Sequence, residues 1–262
     1  MMKNATQCGG RWNRLKNLWR EDLTALGVLM TIPSPQVVQV IARAELDFLF
    51  IDMEHGHFDP ASLHATIAAT AGTSLVPIVR VGANEPWLAK IPLDAGALGI
   101  IFPGMNTRSE AESAVKAVRY PPQGERFWGP FYAAPRWGAT LPEYAQAAND
   151  EVLAIGMAEH IDVTKTIQDV VAVPGLDLLF IGPGDLAASM GYAGQNSVPE
   201  VAQAIGKLEA AILGSPVVLG GVAVNPGQAK EMSVRGYRAL IVGFDCLLLE
   251  RGLDAVLQSV RR

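Results

Sequence analysis

Residues 47–81, DFLFIDMEHGHFDPASLHATIAATAGTSLVPIVRV, contain one complete strand–helix–strand unit. Asp47–Met53 and Leu75–Val81 are short, nearly continuous apolar runs rich in Phe, Leu, Ile and Val. Such runs form strands whose two faces are both covered, as in a parallel sheet wrapped by helices. Pro60–Ala71 between them reads as the crossover helix.

The same alternation continues in both directions. Further strands are expected at Thr24–Thr31, Leu98–Phe102, Val152–Ala158, Asp177–Ile181, Pro216–Gly221 and Arg238–Gly243. Helical stretches follow at Ser34–Ala44, Glu85–Leu93, Ser109–Arg119, Asp162–Val173, Val198–Leu213, Pro226–Arg235 and Asp245–Val260. Eight strands, each followed by a helix, predict an α/β protein with a (β/α)8 TIM barrel. No Gly-x-Gly-x-x-Gly turn follows the first strand, which argues against a doubly wound dinucleotide-binding sheet. The expectation is a modified barrel filling residues 1–262 as a single domain, with a helical extension at 1–20. One connection, YPPQGERFWGPFYAAPRWGATLPEYAQAAND at residues 120–150, leaves the fourth unit and is far longer than a usual loop. Its length and aromatic content predict a lid or a subunit contact.

Half of the residues are apolar and 18% are charged, an ordinary globular composition. The net charge of −5 gives no electrostatic footprint for nucleic acid or an anionic membrane. Only two cysteines occur, Cys8 and Cys246, so a disulfide framework is not expected and a cytoplasmic location fits. No apolar run is long enough to span a bilayer. Lys3, Arg11, Arg14, Lys16 and Arg20 make the first twenty residues basic. Without an apolar core they do not form a signal peptide, and a short amphipathic helix closing one end of the domain is favoured over a transit peptide.

A TIM barrel confines its chemistry to the C-terminal strand ends. The second strand ends in Asp52-Met53-Glu54-His55-Gly56-His57 and the third in Arg80. The fifth ends in Met157-Ala158-Glu159-His160, and the sixth runs into Gly182-Pro183-Gly184-Asp185. Glu159 and Asp185, from neighbouring strands, suit a hard divalent cation, Mg²⁺ or Mn²⁺ with Co²⁺ also accommodated. Singly, each is equally well read as a helix cap. His55 next to Asp52 reads as a general base with an orienting carboxylate, against a structural histidine. Arg80 is either an ion-pair partner of Asp52 or Glu54, or a fork for a carboxylate or developing enolate oxygen. The Gly182–Asp185 turn lets backbone approach a ligand, against a plain tight turn. The seven lysines fall in the N-terminal segment or on predicted helices, which disfavours a Schiff-base mechanism. A rival metal site, His55 and His57 with His160 and Asp245, would resemble amidohydrolase barrels, but its His-x-His follows the wrong strand.

Phe50–Gly56, Val79-Arg80, Leu93-Asp94-Ala95-Gly96-Ala97, Arg119–Gly124 and Phe180–Leu186 together resemble the HpcH/HpaI aldolase family over residues 20–260. The resemblance implies a divalent-metal-dependent class II aldolase that cleaves or forms a 4-hydroxy-2-oxo acid, by way of pyruvate enolate and an aldehyde. It implies Glu159 and Asp185 as metal ligands, His55 with Asp52 as the base, and Arg80 on the oxo oxygen. The Gly184 and Asp185 amides would take the pyruvate carboxylate, and Asp94 would reach a neighbouring subunit's site. A homo-oligomer, trimeric or hexameric by exchange of the last helix, is also implied. Met157 departs from the family, which usually has glutamine there. Methionine donates no hydrogen bond, so the metal's surroundings and the substrate contact at this position are altered. Two other readings remain: an enolate condensation like that of citrate-forming or macrophomate-forming members of this fold, and a non-catalytic oxo-acid binder. Retention of Asp52, His55, Arg80, Glu159 and Asp185 argues against the latter.

Overall fold

The computed structural model describes residues 12–261. The strands are β1 (Ala25–Met30), β2 (Phe48–Asp52), β3 (Val76–Arg80), β4 (Gly99–Phe102), β5 (Leu153–Ala158), β6 (Leu178–Ile181), β7 (Val218–Val222) and β8 (Ala239–Phe244). They pair in parallel and in chain order, and β8 closes on β1. Each lies within two residues of its sequence-based limits. Every position of β2 to β6 is buried, which is why these runs carry no polar alternation. Inside the barrel Phe180 packs against Phe48 and Phe50, with ring centroids 6.4 and 5.8 Å apart.

The helices are α1 (Arg14–Arg20), α2 (Pro35–Ile41), α3 (Pro60–Ala69), α4 (Lys90–Ala95), α5 (Arg108–Val118), α6 (Ala133–Arg136), α7 (Leu141–Glu151), α8 (Val163–Val171), α9 (Pro183–Ser189), α10 (Pro199–Leu213), α11 (Pro226–Val234) and α12 (Asp245–Val260). Their starts are locally encoded. Asp59, Thr107 and Thr140 form reciprocal capping boxes at α3, α5 and α7, and proline occupies the first turn of α2, α3, α7, α9, α10 and α11. The stretch expected as a helix at Glu85–Leu93 divides into a 3₁₀ turn, Pro86–Ala89, followed by α4. Pro92 lacks the amide that would bind it to the turn before.

The N-terminal helix closes the barrel at the end opposite the strand C-termini. Asn13 donates from Nδ2 to Leu98 O (3.2 Å) and Glu151 O (2.8 Å), while the Glu151 carboxylate accepts the Trp12 and Asn13 amides. Arg14 pairs with Asp47 at 2.8 Å, and Trp19 Nε1 donates to Arg238 O at 2.8 Å. These partners all stand where strands begin. Lys3, Cys8 and Arg11, like the rest of residues 1–11, lie outside the described residues.

The 120–150 connection folds into α6 and α7 and packs on the flank. Arg136 Nη2 donates to Thr70 Oγ1 (2.6 Å), Trp137 Nε1 donates to Gly96 O (3.0 Å), and the buried Tyr144 stacks on Trp12 at 5.4 Å. Polar groups of this segment find partners at the end of α3 and after α4, while Phe127, Trp128, Phe131 and Tyr132 stay exposed.

Helix α12 is anchored at its start. Asp245 is buried and accepts the amides of Thr31 and Ile32 and the Thr31 hydroxyl at 2.8–3.0 Å. Beyond it, Leu247, Leu248, Leu249, Leu253, Val256, Leu257 and Val260 are exposed. Among the described residues no helix is long and apolar enough to cross a membrane.

Candidate active site

One side of the barrel mouth is set by strand register. Asp52 and Arg80, the last residues of β2 and β3, are direct register partners, so their side chains meet. Arg80 Nε donates to Asp52 Oδ1 at 2.9 Å and Nη2 donates to Oδ2 at 2.7 Å, a two-pronged pair that is almost wholly buried. Arg80 Nη1 lies 3.0 Å from Glu54 Oε2. Two of the five guanidinium N–H groups are thus hydrogen-bonded to Asp52, and Glu54 adds a close charge.

Asp52 Oδ1 also accepts the backbone amides of Glu54 and His55, at 3.0 and 3.3 Å. The expected Asp52–imidazole pair is thereby corrected. The carboxylate holds the chain entering His55, and the fork of Arg80 takes the capacity the imidazole would have needed. The carboxylate beside the ring is Glu54, whose Oε2 is 3.8 Å from His55 Nε2. The His55 side chain is 63% exposed and free to face a ligand in the mouth. Sequence reasoning offered Glu54 as an ion-pair partner of Arg80; what it did not offer is Glu54 as the carboxylate beside His55.

On the opposite side, β5 delivers Met157 and Glu159. Glu159 is 8% exposed; Oε1 accepts the Gly104 amide at 2.7 Å, while Oε2 is buried with no hydrogen-bond partner. Two glycines make this possible. Gly104 adopts φ +59°, which aims its amide at the carboxylate. At Gly182 a Cβ would stand 2.9 Å from Glu159 Oε2, so any side chain there would fill the space next to that oxygen. Gly182 caps α9, with Pro183 following and Asp185 exposed in the first turn. The quartet read as a tight turn is thus a helix start, whose first amides have no intrahelical acceptor.

Burial pushes the Glu159 carboxyl above the usual range; the Gly104 amide opposes this, and the charges of Asp185 and Glu54 add to it. Burial likewise raises Glu54, opposed by Arg80 and His55 and reinforced by Asp52 and Asp185. Four carboxylates, those of Asp52, Glu54, Glu159 and Asp185, thus share one field with the buried Arg80. That excess of negative charge, with an unpartnered buried oxygen at its centre, fits a hard divalent cation held by Glu159 and Asp185. Among the described residues no cluster of three or more His, Cys, Asp or Glu side chains forms a closed metal centre. A two-carboxylate site of this kind leaves positions open for water and substrate oxygens.

The rival histidine site is corrected. His160 lies 3.3 Å from Asp162, and Asp245 is consumed by the Thr31 and Ile32 amides, so neither gathers with His55 and His57. The described lysines, Lys16, Lys90, Lys116, Lys165, Lys207 and Lys230, all sit on helices, away from the strand ends. Asp94, on α4, is 3.6 Å from Arg126 in the flanking connection and is not brought to this cluster. Burial raises its carboxyl, with Arg126 pulling it back.

A family model described as HpcH/HpaI aldolase/citrate lyase matches residues 26–251. A hydroxypyruvate/pyruvate aldolase from Roseovarius nubinhibens is 35% identical over 90% of this chain and 92% of its own length. A 4-hydroxy-2-oxo-heptane-1,7-dioate aldolase from Escherichia coli is 34% identical, covering 93% of each chain. The crystal structure of an HpcH/HpaI aldolase/citrate lyase family protein from Burkholderia cenocepacia superposes with a TM-score of 0.87 at 34% identity, over 95% of this chain and all of the other.

Proposed function

The chain belongs to the HpcH/HpaI aldolase/citrate lyase family, and from that premise we propose that it is a divalent-metal-dependent class II aldolase acting on a 4-hydroxy-2-oxo acid. The observation that carries the reading is the buried, half-satisfied Glu159 carboxylate, which shares its field with Asp185 and faces the Asp52–Arg80 pair. A purely structural carboxylate would find a partner for its second buried oxygen.

Glu159 and Asp185 would hold the cation. When bound, Mg²⁺, Mn²⁺ or Co²⁺ supplies Lewis acidity that draws electron density from the substrate's 2-oxo group. The chain's own residues do the rest. The amides at Gly184 and Asp185, at the start of α9, would hold the substrate carboxylate. His55, exposed into the mouth beside Glu54, would take the proton from the C4 hydroxyl. The C3–C4 bond then breaks, releasing an aldehyde, and its electron pair moves through C2 onto the oxo oxygen as pyruvate enolate. Arg80, held rigid by Asp52 and Glu54, would present its remaining N–H groups to that developing charge. Protonation of the enolate at C3 completes the reaction, and the reverse sequence forms the bond. A direct test is pyruvate release from short 4-hydroxy-2-oxo acids. Release that needs divalent metal and disappears in Glu159→Ala supports the reading; unimpaired release in that variant contradicts it.

The same reading extends to assembly. The exposed apolar row on α12 supports exchange with another copy of the chain, which would give a trimer or hexamer. Light scattering checks this: Leu253→Glu combined with Val256→Glu is expected to lower the mass to that of a smaller species.

A further inference from the structure

We propose, resting on the metal-dependent aldolase reading, that Asn106 is a positioning residue for the cation. Acting through Gly104, it holds the Glu159 carboxylate with one oxygen engaged and the other left for the metal. Asn106 makes no hydrogen bond to Glu159 itself; it works through the turn between β4 and α5.

Among the described residues the Glu159 carboxylate takes a single hydrogen bond, from the Gly104 amide to Oε1 at 2.7 Å. That bond decides which oxygen is left over. The donor is a poor anchor by itself, because Gly104 stands at φ +59° and a glycine reaches many other conformations at little steric cost. The next peptide, joining Gly104 to Met105, is instead gripped at both ends. Its N–H donates to Met157 O at 3.0 Å, and its carbonyl, that of Gly104, accepts Asn106 Nδ2 at 2.9 Å.

Asn106 is in turn tied to two helices. Its backbone amide donates to Glu110 Oε2 at 2.7 Å, in the capping box of α5, and its carbonyl accepts Thr166 Oγ1 of α8 at 2.5 Å. Its Oδ1 is buried without a partner, so the bond to Gly104 is the one hydrogen bond of this side chain among the described residues. Hydrogen bonds of this kind, one step removed from the metal, orient a ligand before the ion arrives.

The test is Mn²⁺ affinity without substrate, read from the free-ion signal in electron paramagnetic resonance. It uses wild type, Asn106→Ala, Gly104→Ala, the two combined, and Thr107→Ala. A Cβ on Gly104 would meet nothing nearer than Asn106 Nδ2 at 4.0 Å, so Gly104→Ala disturbs the backbone conformation and not the packing. Each of these two substitutions is expected to weaken Mn²⁺ binding about tenfold. Because both act through one amide, the combined variant is expected to lose little more than either alone. Thr107→Ala removes the cap of α5 without touching Gly104, and is expected to lower the melting temperature while keeping wild-type affinity. Affinity unchanged in Asn106→Ala, weakened equally in Thr107→Ala, or weakened multiplicatively in the combined variant overturns the proposal. Wild type that binds no Mn²⁺, or binds it as well after Glu159→Gln, overturns the metal assignment and this proposal with it.

Discussion

Arg80 is buried with two N–H groups hydrogen-bonded to Asp52 and the Glu54 carboxylate 3.0 Å from Nη1, so its position is fixed before any substrate arrives. A lysine at this place supplies a point charge and cannot span Asp52 and Glu54 together. Arg80→Lys is expected to lower kcat/KM roughly 10²-fold, the usual cost of losing an oxyanion donor; near-normal kinetics would make the arginine structural. Glu54→Gln keeps an acceptor for Arg80 but removes the anion beside His55. We expect about a tenfold fall in kcat/KM, checked by steady-state kinetics on the folded variant. At this scale the sequence showed which residues matter better than what they touch. The placement of Asp52, Arg80 and Glu159 as buried polar groups at the barrel mouth was legible because a TIM barrel leaves few strand-end positions. In the sequence the Asp52–Arg80 pair stood only as one alternative, since the β2–β3 register decides it, whereas Asp52 and His55 are neighbours in the chain and invited pairing. The orphaned Glu159 oxygen depends on Gly104 and Gly182, which come from two other loops.

Among the elements, every strand was readable, because the short length of these β-branched apolar runs and the residues flanking them separate them from buried helix segments. Helix α9 was missed for a physical reason: Gly182-Pro183-Gly184 contains the residues that commonly interrupt helices, yet proline is at home in a helix's first turn. For the 120–150 connection, the choice between lid and subunit contact was not legible, because aromatic content alone does not say which surface the rings meet. The base plug formed by α1 can be separated from the chemistry by substitution. Asn13→Ala strands the Leu98 and Glu151 carbonyls, a loss of about 1–3 kcal/mol. We expect the melting temperature to fall by several degrees while kcat stays unchanged; a large drop in kcat would show that the base communicates with the mouth.

Carboxylates crowd together where the barrel opens, and stability should report it. Burial raises the Glu159 and Glu54 carboxyls, so the folded protein binds protons there that the unfolded chain has already released. Stability from these groups is complete below the unfolded carboxylate range and is lost as pH rises through the raised folded values. With EDTA present, the melting temperature should therefore decline from mildly acidic toward neutral pH. Glu159→Gln should flatten that decline, and a divalent cation should reverse it in wild type but not in the variant. Thermal melts across that range check the sign. The most direct test of the central claim is deuterium exchange into the methyl group of pyruvate in D₂O, followed by NMR with Mg²⁺ or Mn²⁺ and then with EDTA. The account predicts exchange that depends on the metal and vanishes in Glu159→Gln; exchange indifferent to EDTA, or none with metal shown to be bound, would contradict it.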